Sequence, residues 1–496
     1  MQDYFQKFRK NIIGNDVQIQ TPYHASQPVV YADWTASGRC YKTIEEKLMR
    51  DVFPMVANTH TETNSTGMSM TLAYHKALHI IKEHVNAGPD DVILSTGSGM
   101  TGVVNKLQRI LGFKIHEKFK AFVPIAEDAR PIVFVSHMEH HSNQTTWLET
   151  IADVEIIHPD AQGYVSLEHF QGLLEKYAHR EVKIAAITSC SNVTGVFTPY
   201  FEIAEMIHKA GGYCFVDFAC SAPYIDINMH PSNPLQYLDA IYFSPHKFLG
   251  GPGSSGIIVF NKKLYNNRVP DTPGGGTVEW TNPWRGRSYI SDIEQREDGG
   301  TPAFLQTIKV ALSVRLKEEM GVENILKREK QQNAIIWRKL GEIPNIHILA
   351  DNIKDRLSVF SFYIEDLHYN LAVKILNDRF GIQVRGGCSC AGTYGHYLLN
   401  IKRERSKGIT DMIDSGDNTY KPGWIRMSLH PTMPDDEIVY IADAIIALAE
   451  NHENWAKDYI SNKAKNIFTH KNNDSNEQLL CQVEEWFDLQ EPVHAH

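Results

Sequence analysis

Several absences narrow what this sequence can be. No unbroken apolar run is long enough to span a bilayer. The opening stretch, MQDYFQKFRKNIIGND, is polar and amphipathic and lacks the apolar core of a secretory signal. Positive charge is not in excess. Against 49 Lys and Arg stand 59 Asp and Glu, for a formal net charge of −10 and a pI of about 6.1. That balance argues against non-specific binding to nucleic acid or to anionic membranes, and leaves room for a local basic pocket around a small anion. There is no disulfide framework either. Seven cysteines, an odd number, in 496 residues read as free thiols of a reducing compartment, with the cytoplasm as the default. No internal repeat or low-complexity segment is visible.

What is present is ordinary globular composition, 42% hydrophobic and 22% charged, in a chain long enough for two or three domains. From about residue 90 short apolar runs alternate with longer helical patterns, which predicts an α/β fold with a mostly parallel sheet covered by helices. Strands are expected at 92–95, 132–136, 154–157, 184–189, 213–217, 240–244 and 256–260, with helices such as 101–111, 167–177 and 200–210 between them. Gly211 and Gly212 form a natural helix stop. A long helix, 304–320, is expected to leave this layer. Beyond it, helix 324–340, strands 346–349 and 356–364, helix 371–380, strands 382–385 and 424–429 and helix 435–450 read as a smaller α+β domain. The polar stretch 392–423 reads as a lid or as disorder. The tail after Asn451 reads as two more helices ending in QVEEWFDLQ. The expected boundaries are 22–302 for the large domain, 1–21 with 303–450 for the small one, and 451–496 for a helical extension.

Six segments carry chemistry. Lys247 follows the buried run DAIYFSP and precedes the glycine- and serine-rich GGPGSSG. A lysine at a strand end against close-packed backbone is desolvated, which lowers its pKa and frees an amine for Schiff-base formation. Taken alone, Lys247 is equally an ordinary surface lysine. Asp217 closes the apolar run YCFVD, where a buried carboxylate needs a partner; a protonated pyridine nitrogen is one, and a cap at the strand end is another. In TGSGMTGVVNKLQRIL small residues lead into a helix near Thr101, either as a phosphate site at its N-terminus or as a plain turn. His140 in HMEHHSN suits stacking on an aromatic cofactor better than metal ligation, because no carboxylate–histidine spacing typical of a metal site accompanies it.

Cys388 and Cys390 in VRGGCSCAGTYGH are candidate nucleophiles, with an inert pair or a ligand pair as the alternatives. Arg426, on the otherwise apolar GWIRMSL, requires an anion, either a substrate carboxylate or a structural salt-bridge partner.

The ordered set YADWTASG, GSGMTGVVN, MEHHSN, SNVTGVFTP, VDFACSAP, SPHKFLGGPGSSG, REDGGTP, VRGGCSCAG and IRMSL spans roughly residues 29–450. It resembles the class V aminotransferase-like group of fold-type-I pyridoxal-phosphate enzymes, in particular cysteine desulfurases of the SufS type and selenocysteine lyases. The resemblance implies pyridoxal 5′-phosphate as cofactor, with Lys247 holding it. Asp217 would pair with the pyridine nitrogen, and His140 and Ala219 would cover the two ring faces. Asn192 would lie on the phenolic-oxygen side, beside the substrate. Gly99, Met100, Thr101, Ser244 and His246 would surround the phosphate. Thr301 matches a threonine that reaches the phosphate from a second subunit, which implies a homodimer with shared active sites. Arg426 would grip the substrate carboxylate, and Cys390 matches the persulfide-forming cysteine.

Some positions depart from that pattern. Cys220 stands where glutamine is usual, Met100 where threonine is common, and Ser389 where histidine often precedes the active cysteine. The stretch after Cys390 is longer than usual and the tail is additional. The implied activity is removal of sulfur from L-cysteine, or a related sulfur or selenium amino acid, as a persulfide on Cys390 with release of alanine to solution. A sulfur-acceptor protein would take the sulfur. The alternatives are C–S β-elimination, other class V chemistry on a different amino acid, and a sulfur-transfer or docking protein that retains the fold.

Overall fold

The computed structural model describes residues 1–472 and 475–489. Seven strands form its central sheet: β1 (Asp91–Thr96), β2 (Ile132–Ser136), β3 (Asp153–Ile157), β4 (Lys183–Thr188), β5 (Tyr213–Asp217), β6 (Ala240–Phe243) and β7 (Gly256–Asn261). Their spatial order is β1-β7-β6-β5-β4-β2-β3. Neighbours from β6 to β3 pair in parallel, while β7 runs against both β1 and β6. β2, β4 and β6 are buried at every residue. Strands covered on both faces read as unbroken apolar runs, and all seven expected strands match the observed ones to within one residue, the half-buried edge strand β3 included.

Around this sheet lie α1 (Ser65–His84), α2 (Met100–Ile110), α3 (His141–Leu148), α4 (Leu167–Lys176) and α5 (Tyr200–Lys209). Asn64 and Ser166 cap α1 and α4, each side chain accepting a backbone N–H of the first turn. α5 ends at Gly211, whose φ of +75° a side chain would disfavour. The helix α6 (Phe304–Met320), expected from sequence to leave this layer, packs along α1, and its Thr307 hydroxyl lies 2.6 Å from Ser95 Oγ.

After α7 (Val322–Leu340) a second sheet forms from β8 (Ile346–Ile348), β9 (Val359–Ile364), β10 (Arg385–Gly387) and β11 (Trp424–Ser428). Its order is β8-β9-β11-β10, and all pairs are antiparallel. The helix α8 (Tyr369–Phe380) covers it. β9 starts three residues later than expected, because the Arg356 guanidinium folds back onto the Ile353 carbonyl and holds a turn there. The expected strand 382–385 is divided. Ile382–Gln383 pairs in parallel with Val30–Tyr31, and only Arg385 onward joins β11. Residues 30–33 are therefore bonded to the second sheet, Ser428 N donating to Ala32 O at 2.7 Å.

Two expectations are corrected. The stretch 392–423 contains two helices, α9 (Gly392–Leu398) and α10 (Arg403–Asp414). α10 buries no residue fully, and only Ile409, Met412 and Ile413 break its polar sequence, so its composition reads as a loop. The tail is not wholly helical. α11 (Asp435–Trp455) is followed by a hairpin, β12 (Tyr459–Asn462) and β13 (Ile467–His470), and only then by α12 (Ser475–Glu485). The hairpin is held through Asn370, whose amide donates to Asn466 O, and through the Phe468 ring beside His368. Residues 473–474 and 490–496 of the expected extension lie outside the described residues. Among the described residues no helix is long and apolar enough to cross a membrane.

Candidate active site

The carboxyl ends of the parallel strands meet at one edge of the sheet, the place where open α/β sheets bind ligands. The loops there, with Thr35–Ala36 and the segment before α9, enclose a cleft of about 240 Å³. Lys247, Asp217, His140, Asn192, Met100, Thr101, Ala219, Cys220, Ser244, His246, Cys390 and Arg426 all line it. Met100 and Arg426, 326 positions apart, are thus brought into one cavity.

Lys247 closes a single tight turn, Pro245–Lys247, just after β6. Backbone bonds from Gly38 N to His246 O (2.9 Å) and from Gly250 N to Arg39 O (2.7 Å) fix that turn. No side chain would fit at two glycines packed against it: a Cβ on Gly251 would lie 1.8 Å from Pro245 O, and one on Gly38 2.0 Å from Phe248 O. The side chain opens to the cleft, but its amine is desolvated, which holds it below the ordinary lysine range against the opposing pull of Cys220 and Asp217.

Asp217 is the last residue of β5 and is buried. Burial raises its carboxyl to about 6, while the Ala219 N–H (2.8 Å) and the Lys247 charge oppose that shift. His140 caps α3, its Nδ1 accepting the Ser142 N–H at 3.1 Å. Desolvation first, and the charges of Lys247, His141 and Arg426 after it, push His140 down to about 3, so the ring is neutral. His141 points the other way. Its Nε2 accepts the Gly392 N–H, and its backbone N–H donates to Cys390 O at 2.7 Å.

Ser244, His246 and the first turn of α2 form one end of the cleft. Met100 N donates to Ser244 Oγ at 2.9 Å, and Thr101 Oγ1 lies 2.7 Å from Ser142 Oγ. A Cβ on Gly99 would meet Ser244 Oγ at 3.1 Å and His246 Nε2 at 3.5 Å, so the glycine leaves space where these groups converge. His246 is held neutral, near 4, by burial and by Lys247.

Arg426 is 3% exposed on β11. Its Nη2 bonds Asp33 Oδ1 at 2.7 Å, and its Nη1 donates to Asn192 O at 3.2 Å. Arg385, directly opposite in the ladder, donates through Nε to the other Asp33 oxygen at 3.0 Å. Two cations share one carboxylate, which leaves a net positive charge beside the cleft. The salt-bridge alternative for Arg426 therefore holds for one edge of its guanidinium. Asp33 and Arg385 are residues that sequence reasoning passed over, although both stand inside quoted motifs; Ser142, Thr188 and Cys190 also line the cleft unforeseen.

Cys388 and Cys390 part company. Cys390 is exposed and lines the cleft, whereas Cys388 packs against the core. Ser389 and Cys390 both take left-handed φ values, +52° and +56°. Such strain persists only where surroundings impose it. Here Asn192 Nδ2 holds Ser389 O at 2.8 Å, Trp424 Nε1 holds Ser389 Oγ at 3.2 Å, and His141 holds Cys390 O. Thr301 does not line its own chain's cleft; it is exposed and donates to Asn58 Oδ1 at 3.3 Å.

The family model for class-V aminotransferases matches residues 30–441. The chain belongs to that family. A probable cysteine desulfurase of Synechocystis is 26% identical over 370 residues, 73% of this chain and 82% of that protein. A cysteine desulfurase of Haloferax volcanii is 24% identical over 423 residues, 81% and 93% of the two chains. Among solved structures, the apo cysteine desulfurase of Thermococcus onnurineus superposes with a TM-score of 0.68 at 22% identity, covering 85% of this chain and 95% of its own. The Escherichia coli cysteine desulfurase CsdA gives 0.67 at 19% identity, covering 90% and 98%. The class-V chain thus has the α/β architecture of fold type I, as its motif order implied.

Proposed function

We propose that this class-V chain is a pyridoxal-phosphate-dependent cysteine desulfurase, acting on L-cysteine or a related sulfur or selenium amino acid. The observation that carries the reading is that one cleft is lined at once by the desolvated amine of Lys247, the buried cation of Arg426 and the exposed thiol of Cys390.

The residues present fit the cofactor. Asn192 Oδ1 and Arg426 Nε are buried with no hydrogen-bond partner among the described residues, so both await a ligand. Asp217 is a buried carboxylate at the depth where a pyridinium nitrogen would be paired, and Gly99, Met100, Thr101, Ser244 and His246 frame the end suited to a phosphate. Neutral His140 and Ala219 would cover the ring, with Cys220 at its edge. When bound, the group supplies an electron sink for the charge that develops at the substrate Cα.

The chain's own residues do the rest. Arg426 and Asn192 bind and orient the amino acid. Lys247, a desolvated amine, would remove the Cα proton. Asp217 would hold a proton on the pyridine nitrogen of the bound cofactor. The Cys390 thiolate attacks the substrate sulfur; the new S–S bond forms as Cβ–S breaks, and Cβ takes a proton to become the methyl group of alanine. Thr301, exposed and outside its own cleft, supports a homodimer in which it completes the neighbouring site. A cytoplasmic location and a sulfur-acceptor protein accord with free thiols and an exposed Cys390.

The test is alanine release from L-cysteine by wild type and by Cys390→Ala. Alanine release should vanish in the variant while the cofactor absorbance is retained. Undiminished alanine would remove Cys390 as nucleophile, and pyruvate with ammonia in place of alanine would favour the C–S lyase reading.

A further inference from the structure

The floor of the cleft holds a second pair of thiols that the proposed reaction does not use. Cys190 lies two residues beyond β4, and Cys220 three beyond Asp217. Both are buried and both line the cleft. Each S–H points to the same acceptor, the Ser191 carbonyl, at 3.7 Å from Cys190 Sγ and 3.6 Å from Cys220 Sγ. The loops that carry them are tied one residue away by Ser189 Oγ and Ser221 Oγ at 2.6 Å, and by Ser189 N to Asp217 O at 2.9 Å.

We infer that Cys190 and Cys220 form a peroxide-sensitive dithiol, which closes to a disulfide within the cofactor site and reversibly switches the site off. A pair serving only to fill the core has no need to share a polar acceptor or to border a solvent-connected cleft. The two thiols are also unequal, which assigns an order to the steps. Cys220 is held below the ordinary thiol range, first by the neighbouring Cys190 thiol and then by the charges of Lys247 and Arg426, against the effect of burial. Burial pushes Cys190 well up.

Cys220, the better thiolate, attacks one oxygen of hydrogen peroxide or a small organic hydroperoxide. The O–O bond breaks, water or an alcohol leaves, and Cys220 becomes a sulfenic acid. Cys190 then attacks that sulfur, the S–O bond breaks, and water leaves with the Cys190 proton. Two thiols are oxidised and one peroxide is reduced. The disulfide turns Cys220 Sγ toward Cys190 and away from Lys247, and it removes the thiol that supports the lysine charge. The cofactor environment changes as a result.

The experiment uses the holoenzyme and reads thiols, so its outcome is independent of the substrate. Protein is treated with hydrogen peroxide, alkylated after denaturation, digested without reductant and mapped by mass spectrometry. The expected result is a linked pair of peptides joining Cys190 to Cys220, with a shift in cofactor absorbance, both reversed by dithiothreitol. In the near-isosteric Cys190→Ser variant no link forms, and dimedone labels the stranded Cys220 sulfenic acid at least several-fold above wild type. The inference is overturned if peroxide that oxidises Cys390 leaves Cys190 and Cys220 fully alkylatable, or if dimedone fails to label Cys220 in the variant. An absorbance shift that persists in Cys190→Ser would equally overturn the switch.

Discussion

Removing the Arg426 guanidinium separates its two tasks. In the structure Nη2 is committed to Asp33 and Nη1 to the Asn192 carbonyl, while Nε is buried without a partner among the described residues. A substrate carboxylate accepted there gains a desolvated, charge-assisted bond worth about 3 kcal/mol. At roughly 1.4 kcal/mol per factor of ten, Arg426→Ala should lower kcat/KM for L-cysteine by roughly a hundredfold. Because the carboxylate is held alike before and during reaction, most of that loss should appear in KM. The variant also leaves Asp33 with Arg385 alone, whose side chain is 51% exposed and holds it weakly. A structural cost therefore accompanies the binding cost, and the carboxamide of cysteine tells them apart. The amide has no carboxylate to grip, so the variant should lose far less on the amide than on the acid. Release of alanine from the acid and of alaninamide from the amide, measured with both proteins, gives the four rates needed. An equal fold-loss on acid and amide would refute the carboxylate role and leave Arg426 as an anchor for Asp33 and the Asn192 loop.

Three further predictions rest on single features. Gly251→Ala places a methyl 1.8 Å from the Pro245 carbonyl, which must move the turn bearing Lys247; cofactor absorbance should fall and stability drop by about 2 kcal/mol or more, and an unchanged cofactor titration would contradict this. His430 is buried and stacked on Trp34 at 4.1 Å, and burial holds its pKa near 3, below the 6.5 expected when unfolded. Its neutral form therefore favours the fold fully above pH 6.5, and that contribution is lost as pH falls from 6.5 toward 3; at pH 5 the loss is at most about 2 kcal/mol. Denaturant unfolding at pH 7 and pH 5 should show a smaller acid loss in His430→Gln than in wild type, and equal losses would count against the assignment. Iodoacetamide should label Cys390 at least about tenfold faster than Cys388, since only the former is exposed. Comparable rates by peptide mapping would reject the distinction.

How far the fold was legible follows from burial. Strands such as Lys183–Thr188 are covered on both faces, so they stand out as apolar runs between helical patterns. The helix Arg403–Asp414 fully buries no residue and is polar but for Ile409, Met412 and Ile413, and the hairpin Tyr459–Asn462 with Ile467–His470 is two short strands half exposed, so neither offers the long apolar signal that sequence reading depends on. Both were missed for that reason.

The site divides in the same way. Local sequence determined Lys247, Asp217, His140 and the glycine-rich segments, because each sits where an apolar run ends and its neighbours along the chain define the chemistry. The order of those motifs was enough to imply the fold and the cofactor. Tertiary structure alone decided which partner each group meets. It set Asp33 between Arg385 and Arg426, 352 and 393 residues away, turned Cys390 into the cleft and Cys388 into the core, and brought Cys190 against Cys220. Burial along one strand leaves a trace in consecutive residues, whereas a contact between distant loops depends on how two sheets are set against each other, and no short stretch of sequence carries that.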